Sequence, residues 1–462
     1  MSLIIPEVPD FELIPSLSEK FNSEQLTEIF ENSFLNINNI NPRQFLFICE
    51  LLTFNKTHFE EFLQLLAIYI NGCDKLDTEI KLQIENYLAS KILKKFETQR
   101  HYSDYFQIFD QHYKNINTQE IQNPSENIVI FFVHHPVLLA HTNTLLKTLE
   151  NRKSETKVVI ASLEFSQSFA DACKKIGCEF IRIEGKNLTE KLDKFIALTK
   201  IARHCIWLCV PQYLSYVSSL TDNISWWSLK FYPKITGVRH KLSGRGDDFS
   251  FNIDNERWIN FGGSFDVKND SHSAAPWAYR KNKFGAFCRE ELINDANYWQ
   301  LVGAILGSNP LSTFHYCGKK AIHEKWASLY KIDLKRIVFL GWLKDPHLKI
   351  REMAIILDCY GMRHGSLLFE GMACNIPIVY PQIANNHNGL PLYYSQIKVK
   401  DSCENPNNFA SFTTVDKAVA LTSNLLQNES INTEFGKKIN CIYNAYPKPS
   451  FDELETILDS EC

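Results

Sequence analysis

The 462-residue sequence has no run of about 18 uninterrupted apolar residues, which argues against a membrane-spanning helix. It has no excess of positive charge either. Its 49 Lys and Arg against 53 Asp and Glu leave a net charge of -4, so there is no electrostatic footprint for nucleic acid. No C-x-x-C pair occurs among the 13 cysteines, and an odd, dispersed set fits reduced, packed thiols in a cytoplasm better than a disulfide framework. Cys205 and Cys209 lie in the apolar run His204–Val210, which reads as a buried strand and not as a metal site. The opening Met1–Asp10 has neither a basic n-region nor a long apolar stretch, so no signal peptide is expected and a cytoplasmic location is. No fixed-period repeat supports a helical solenoid, and Gly244-Arg245-Gly246 is too short for a dinucleotide fingerprint. What remains is a globular composition, 45% hydrophobic, 22% charged and 13% aromatic, in a chain long enough for two or three domains.

Residues 1–118 carry apolar side chains at three- and four-residue spacing in Ser23–Phe30, Asn41–Leu52, Thr57–Leu66 and Asp77–Phe96, several opening on an N-cap residue. They predict an all-helical domain that either binds an acceptor or partner or serves as scaffold. The polar Asn117–Asn127, with Pro124, reads as a linker. The pattern then changes to short apolar strands separated by helix-length segments. Ile128–Val133, Lys157–Ala161, Glu179–Ile183 and His204–Val210 form one set, and Phe284–Phe287, Ser312–Tyr316, Arg336–Leu340, Ile355–Asp358 and Ile376–Tyr380 form a second. Such alternation implies two doubly wound α/β domains with parallel sheets covered on both faces, here 125–279 and 280–425, followed by a C-terminal helical segment, 426–462.

The most informative stretch is Gly361–Tyr380: a polar glycine loop, a helix bearing one carboxylate, Glu370, and a strand opened by Pro377. Backbone N–H groups freed at a helix start suit a phosphate, and a carboxylate one or two turns on can reach a ribose hydroxyl. Taken alone, the segment also fits an ordinary loop–helix–strand unit. Glu370-Gly-Met-Ala-Cys-Asn-Ile-Pro-Ile-Val379, however, resembles the E-A-M-A-x-G-x-P-V-V segment of GT-B glycosyltransferases. The resemblance implies a GT-B fold of two Rossmann-like domains facing a cleft, with the nucleotide sugar on the second domain and the acceptor on the first. Glu370 then holds the donor ribose, and Arg363, His364, Gly365 and Ser366 cradle its diphosphate. Many retaining members carry a second Glu eight residues before the first. Met362 stands there, which shifts the expectation toward inversion.

Other segments extend the resemblance. Phe284–Asn294 places Arg289 just after a strand, like the GT-B loop that holds diphosphate, although Asn294 replaces the Lys usual there. Lys319 follows the next strand in Cys317-Gly-Lys-Lys320, and Val338-Phe-Leu-Gly341-Trp342 is similar to the segment that cups the donor base, with Trp342 placed to stack on uracil. Each cation could equally be a surface charge and Trp342 plain packing. The D-x-D motif of metal-dependent GT-A enzymes is absent, so metal-independent catalysis without a cofactor is expected. An acceptor base usually comes from the first domain, and His134, His135 and His141 cluster just after its first strand. Trp226, Trp227 and Lys230 resemble a W-W-S-x-K segment of bacterial GT-B proteins with helical extensions, implying an acceptor surface or else a packed interface.

Together these readings predict a cytoplasmic, inverting glycosyltransferase that moves a hexose or N-acetylhexosamine from a UDP-sugar to a protein side chain, resembling bacterial cytoplasmic protein glycosyltransferases. The alternatives are a saccharide, lipid-linked or small-molecule acceptor, a donor-hydrolysing epimerase, and a non-catalytic partner subunit. The expected partners are the nucleotide sugar and an acceptor protein or glycan, with a homo-oligomer or partner subunit also open.

Overall fold

β1 (Glu126–Val133) shows why the first sheet is buried on both faces: Ile128 through Val133 is a continuous apolar run, and every one of those side chains is buried. The computed structural model describes residues 21–54, 58–72, 76–92, 99–114, 126–138, 140–150, 152–229, 233–243, 256–262, 273–343, 346–359, 367–382, 390–395, 397, 402–448 and 450–460. β2 (Lys157–Ser162), β3 (Glu179–Arg182), β4 (Ala202–Leu208), β5 (Ser225–Ser228), β6 (Lys241–Ser243) and β7 (Ile259–Asn260) complete a parallel sheet in the order β3-β2-β1-β4-β5-β6-β7. Phe132 stacks on Trp207 of β4 at 3.9 Å between ring centroids. The order reverses between β1 and β4, and at such a switch point the carboxyl ends of the strands open a crevice for a ligand.

The helical front consists, among the described residues, of α1 (Ser23–Leu35), α2 (Pro42–Phe54), α3 (Phe59–Gly72), α4 (Thr78–Ile92) and α5 (Gln99–Tyr113). Asn22 and Gln25 form a capping box at the start of α1. Phe45 of α2 stacks on Tyr69 of α3 at 3.8 Å. Three carboxylates weld this front to the first sheet by accepting backbone N–H groups that would otherwise lack partners. Glu79 of α4 takes the N–H groups of Leu188 and Thr189 at the start of α8 (Leu188–Thr199). Glu85 of α4 takes that of Tyr213 at 2.8 Å, and Asp110 of α5 takes that of Thr236 at 2.8 Å. The intervening helices of this layer are α6 (Ala140–Glu150) and α7 (Gln167–Lys175), and α9 (Leu214–Ser218) follows β4.

The second sheet comprises β8 (Lys283–Ala286), β9 (Thr313–Tyr316), β10 (Ile337–Phe339), β11 (Ile355–Leu357), β12 (Ile378–Pro381) and β13 (Ser411–Phe412), all parallel in the order β10-β9-β8-β11-β12-β13. Its switch point lies between β8 and β11. Helices α10 (Trp277–Arg280), α11 (Glu290–Ile293), α12 (Ala296–Ser308), α13 (His323–Tyr330), α14 (His347–Ile350), α15 (Leu367–Ala373), α16 (Leu390–Ser395), α17 (Val415–Gln427) and α18 (Glu429–Ala445) surround it. The chain divides into two compact units, Met1–Gly262 with Pro449–Cys462, and Gly263–Lys448. The helices of 426–462 are shared between them: α18 belongs to the second, while α19 (Phe451–Asp459) belongs to the first. There Asp452 caps the N–H groups of Lys153 and Ser154, and Glu455 accepts the Thr156 hydroxyl at 2.6 Å.

Each strand expected from the sequence is present. β5, β6, β7 and β13 were not expected: β5 is buried at every position and so shows no alternation, and the others are two or three residues long. One pair departs from the expectation of reduced thiols: Cys403 and Cys441 form a disulfide with Cα atoms 5.9 Å apart. The nine other described cysteines are buried outside any disulfide. No described helix is long and apolar enough to cross a membrane.

Candidate functional site

In the first unit the histidines stand where β1 ends. His134 is 7% exposed, set edge-on against Tyr213 at 5.5 Å, with a buried Nδ1 that has no partner. Burial, with the neighbouring His135 ring, pulls its pKa down to about 3. The buried His134 ring offers an acceptor little surface, which counts against its expected role as base. His135 is the opposite case. Its side chain is 55% exposed, and Nδ1 lies 3.3 Å from Oε2 of Glu164, which follows β2 on the adjacent strand. A carboxylate on Nδ1 fixes the tautomer and leaves Nε2 to accept a proton. His141 is half-buried in the first turn of α6.

Beneath His134, Tyr213 adopts a left-handed backbone (φ 63°) held by the Glu85 carboxylate. Glu85 Oε2 is buried without a partner, and burial, outweighing the Tyr213 N–H, raises the carboxyl pKa to about 8. Glu164 and Glu85 were missed by sequence reasoning. For Glu164 a signal existed, a carboxylate just past a strand's carboxyl end; for Glu85, mid-helix and 128 residues from Tyr213, there was none.

The tryptophans need correction as acceptor contacts. Trp226 and Trp227 have no exposure, and their indole N–H groups donate to the carbonyls of Cys209 and Phe261 at 3.1 and 3.0 Å. They are the core of β5, and they present no surface. Lys230 lies outside the described residues, as do Arg363, His364, Gly365 and Ser366.

In the second unit the carboxyl ends of three adjacent strands bring four expected residues to one edge. Arg289 is exposed after β8, Lys319 is exposed after β9, and Gly341 and Trp342 follow β10. Trp342 is 63% exposed, and the Lys319 ammonium stands 5.7 Å from its ring centroid. The turns are locked together: Gly318 donates its N–H to Gly341 at 3.1 Å, and the buried Glu290 carboxylate accepts the Lys319 N–H at 2.9 Å. Burial acts to raise the Glu290 pKa, but the backbone N–H groups and the Lys319 charge outweigh it and hold the carboxyl low. Glycine suits position 318, since a Cβ there would lie 2.7 Å from Glu290 Oε2 and would force that side chain to shift. Arranged this way, an exposed arginine, lysine and indole can receive a phosphorylated, ring-bearing ligand. Glu370 is half-buried in the first turn of α15, whose Gly371 packs against Ile356 of β11.

The sequence matches no protein-family model and no curated protein. Solved structures do match. A mutant of the O-GlcNAc transferase of Thermobaculum terrenum is similar over 97% of this chain and 95% of its own, with a TM-score of 0.56 at 10% identity. Anabaena HepE, in complex with UDP and glucose, matches 72% of this chain and 99% of its own at 11% identity, with a TM-score of 0.49. A Rickettsia africae glycosyltransferase matches 73% and 98%, also at 11% identity and a TM-score of 0.49. Two parallel sheets of Rossmann order behind a helical front, matched end to end by the first of these, show that this chain has the GT-B fold of glycosyltransferases.

Proposed function

We propose that the protein is a glycosyltransferase that moves a sugar from a UDP-sugar to an acceptor by an inverting, metal-independent reaction, with a protein side chain as the acceptor. The exposed His135–Glu164 pair is the observation that carries this reading, because it supplies the one group an inverting enzyme needs beyond a donor site. His135 Nε2 takes the proton of the acceptor hydroxyl or amide as its heteroatom bonds to the sugar's anomeric carbon. The bond from that carbon to the diphosphate oxygen breaks, and the electron pair leaves with UDP. The Arg289 and Lys319 side chains offset the charge that develops on the leaving group. Trp342 stacks on the base, and Glu370 binds the ribose. The name of the Thermobaculum neighbour supports an N-acetylhexosamine and an oxygen acceptor, and the missing D-x-D motif supports independence from a metal.

The test is a panel of nucleotide sugars with candidate acceptor proteins, read by UDP release and by the anomeric configuration of the product. Inverted product is expected, and chelator should not slow it. His135→Ala and Glu164→Gln should cut turnover by about 10²–10⁴-fold, the range for general-base loss, with UDP affinity kept. Retained configuration, or unimpaired His135→Ala, would remove this mechanism; sugar released without acceptor would favour donor hydrolysis.

A further inference from the structure

At the opposite edge of the second sheet, beside the amino ends of β8, β11 and β12, lies a cavity of about 250 Å³. Its walls include Ser273, Arg280, Asn375, Thr433 and Lys437. The space far exceeds that of a single water, about 30 Å³.

Both of the charged residues that line it, Arg280 and Lys437, are cations. Arg280 is only 6% exposed; one guanidinium nitrogen donates to Asn432 Oδ1 at 2.7 Å, and the group lies over the Trp277 ring at 5.0 Å. Its Nε is buried and has no partner. Lys437 reaches the same cavity from the exposed side of α18, and Arg351 stands behind it with a terminal nitrogen 3.4 Å from the Ser273 hydroxyl. Among the described residues none of these cations forms a salt bridge; Glu429 is the carboxylate whose field reaches Arg280. Asn432 in turn donates to the carbonyls of Ala354, at the start of β11, and Leu425, so the guanidinium is held rigidly. A guanidinium in the wall, an exposed lysine on the same wall and the hydroxyl and amide groups of Ser273, Thr433 and Asn375 match a phosphoryl dianion.

We propose that this cavity is a second ligand site, on the edge of the sheet away from the donor residues, that binds the phosphoryl group of a small phosphorylated metabolite through Arg280 and Lys437. It stands independently of glycosyl transfer. The test is calorimetric titration of the full chain with inorganic phosphate and with glycerol 3-phosphate, in saturating UDP so that the donor side is occupied, and repeated without UDP. Saturable binding is expected, weakened about tenfold or more by Lys437→Glu and by Arg280→Lys, with UDP affinity unchanged in Lys437→Glu. Lys437 is exposed, so its variant tests the site without touching the core; an unchanged circular dichroism spectrum qualifies either variant. Tighter binding of glycerol 3-phosphate than of phosphate would identify an organic phosphate as the occupant, and equal affinities would assign the site to free phosphate. Absence of saturable binding, or equal affinity in wild type and Lys437→Glu, would overturn the proposal. Failure of UDP to bind would count against the transferase reading and leave this titration readable.

Discussion

Replacing Glu85 by Gln should stabilise the protein at neutral pH, and the gain should grow with pH. In the folded chain burial lifts the Glu85 carboxyl from an ordinary value of 4.5 to about 8, although its Oε1 accepts the Tyr213 N–H. The unfolded chain therefore releases this proton near pH 4.5, while the folded chain holds it until pH 8. Between those values the unfolded state binds fewer protons, so stability falls as pH rises, by about 1.4 kcal/mol per pH step. By pH 7 this one group has removed on the order of 3 kcal/mol relative to pH 4.5. Glutamine keeps an oxygen for the Tyr213 N–H, carries no titrating proton and puts its amide where Oε2 now has no partner. It retains one unsatisfied buried group, so the two proteins should differ little at pH 5 and diverge by roughly 2–3 kcal/mol at pH 7. Urea unfolding of both proteins at intervals from pH 5 to pH 8 measures this. Parallel stability profiles would show that Glu85 is ionised in the folded state and would refute the argument from burial.

Two further outcomes test the second unit. Glu370→Ala should weaken UDP binding about ten- to hundredfold, the worth of a hydrogen bond to a charged group, by fluorescence or calorimetric titration; unchanged affinity would remove Glu370 from the ribose site. Gly318→Ala should destabilise by about 1–3 kcal/mol, since its new methyl meets the Glu290 side chain, and should also raise the donor KM by shifting Lys319; a variant with wild-type melting temperature and KM would show that the turn yields freely.

The gathering of Arg289, Lys319, Gly341 and Trp342 at one sheet edge was legible because it is local. Arg289, Lys319 and Gly341-Trp342 each directly follow an apolar strand, and parallel neighbouring strands necessarily deliver their following loops to one edge. The histidine cluster after β1 was only half legible. Three histidines after β1 marked the place, but His134 and His135 are adjacent in sequence and look alike there; packing against Tyr213 buries one, and Glu164, 29 residues away, engages the other. The Trp226-Trp227 pair misled for the same reason, since aromatic side chains suit both a sugar surface and a sheet interior.

What the amino-acid sequence determined by itself is the alternation of strands and helices, hence two parallel doubly wound sheets behind a helical front, because periodicity and capping act over a few residues. Only the tertiary structure decided which polar groups are sealed and which are offered to a ligand. The pairing of His135 with Glu164, the burial of Glu85 beneath Tyr213, the disulfide of Cys403 with Cys441 and the cavity around Arg280 all join residues distant in sequence. Solvation and pairing, which set charge and reactivity, are properties of those non-local contacts and not of the residues that make them.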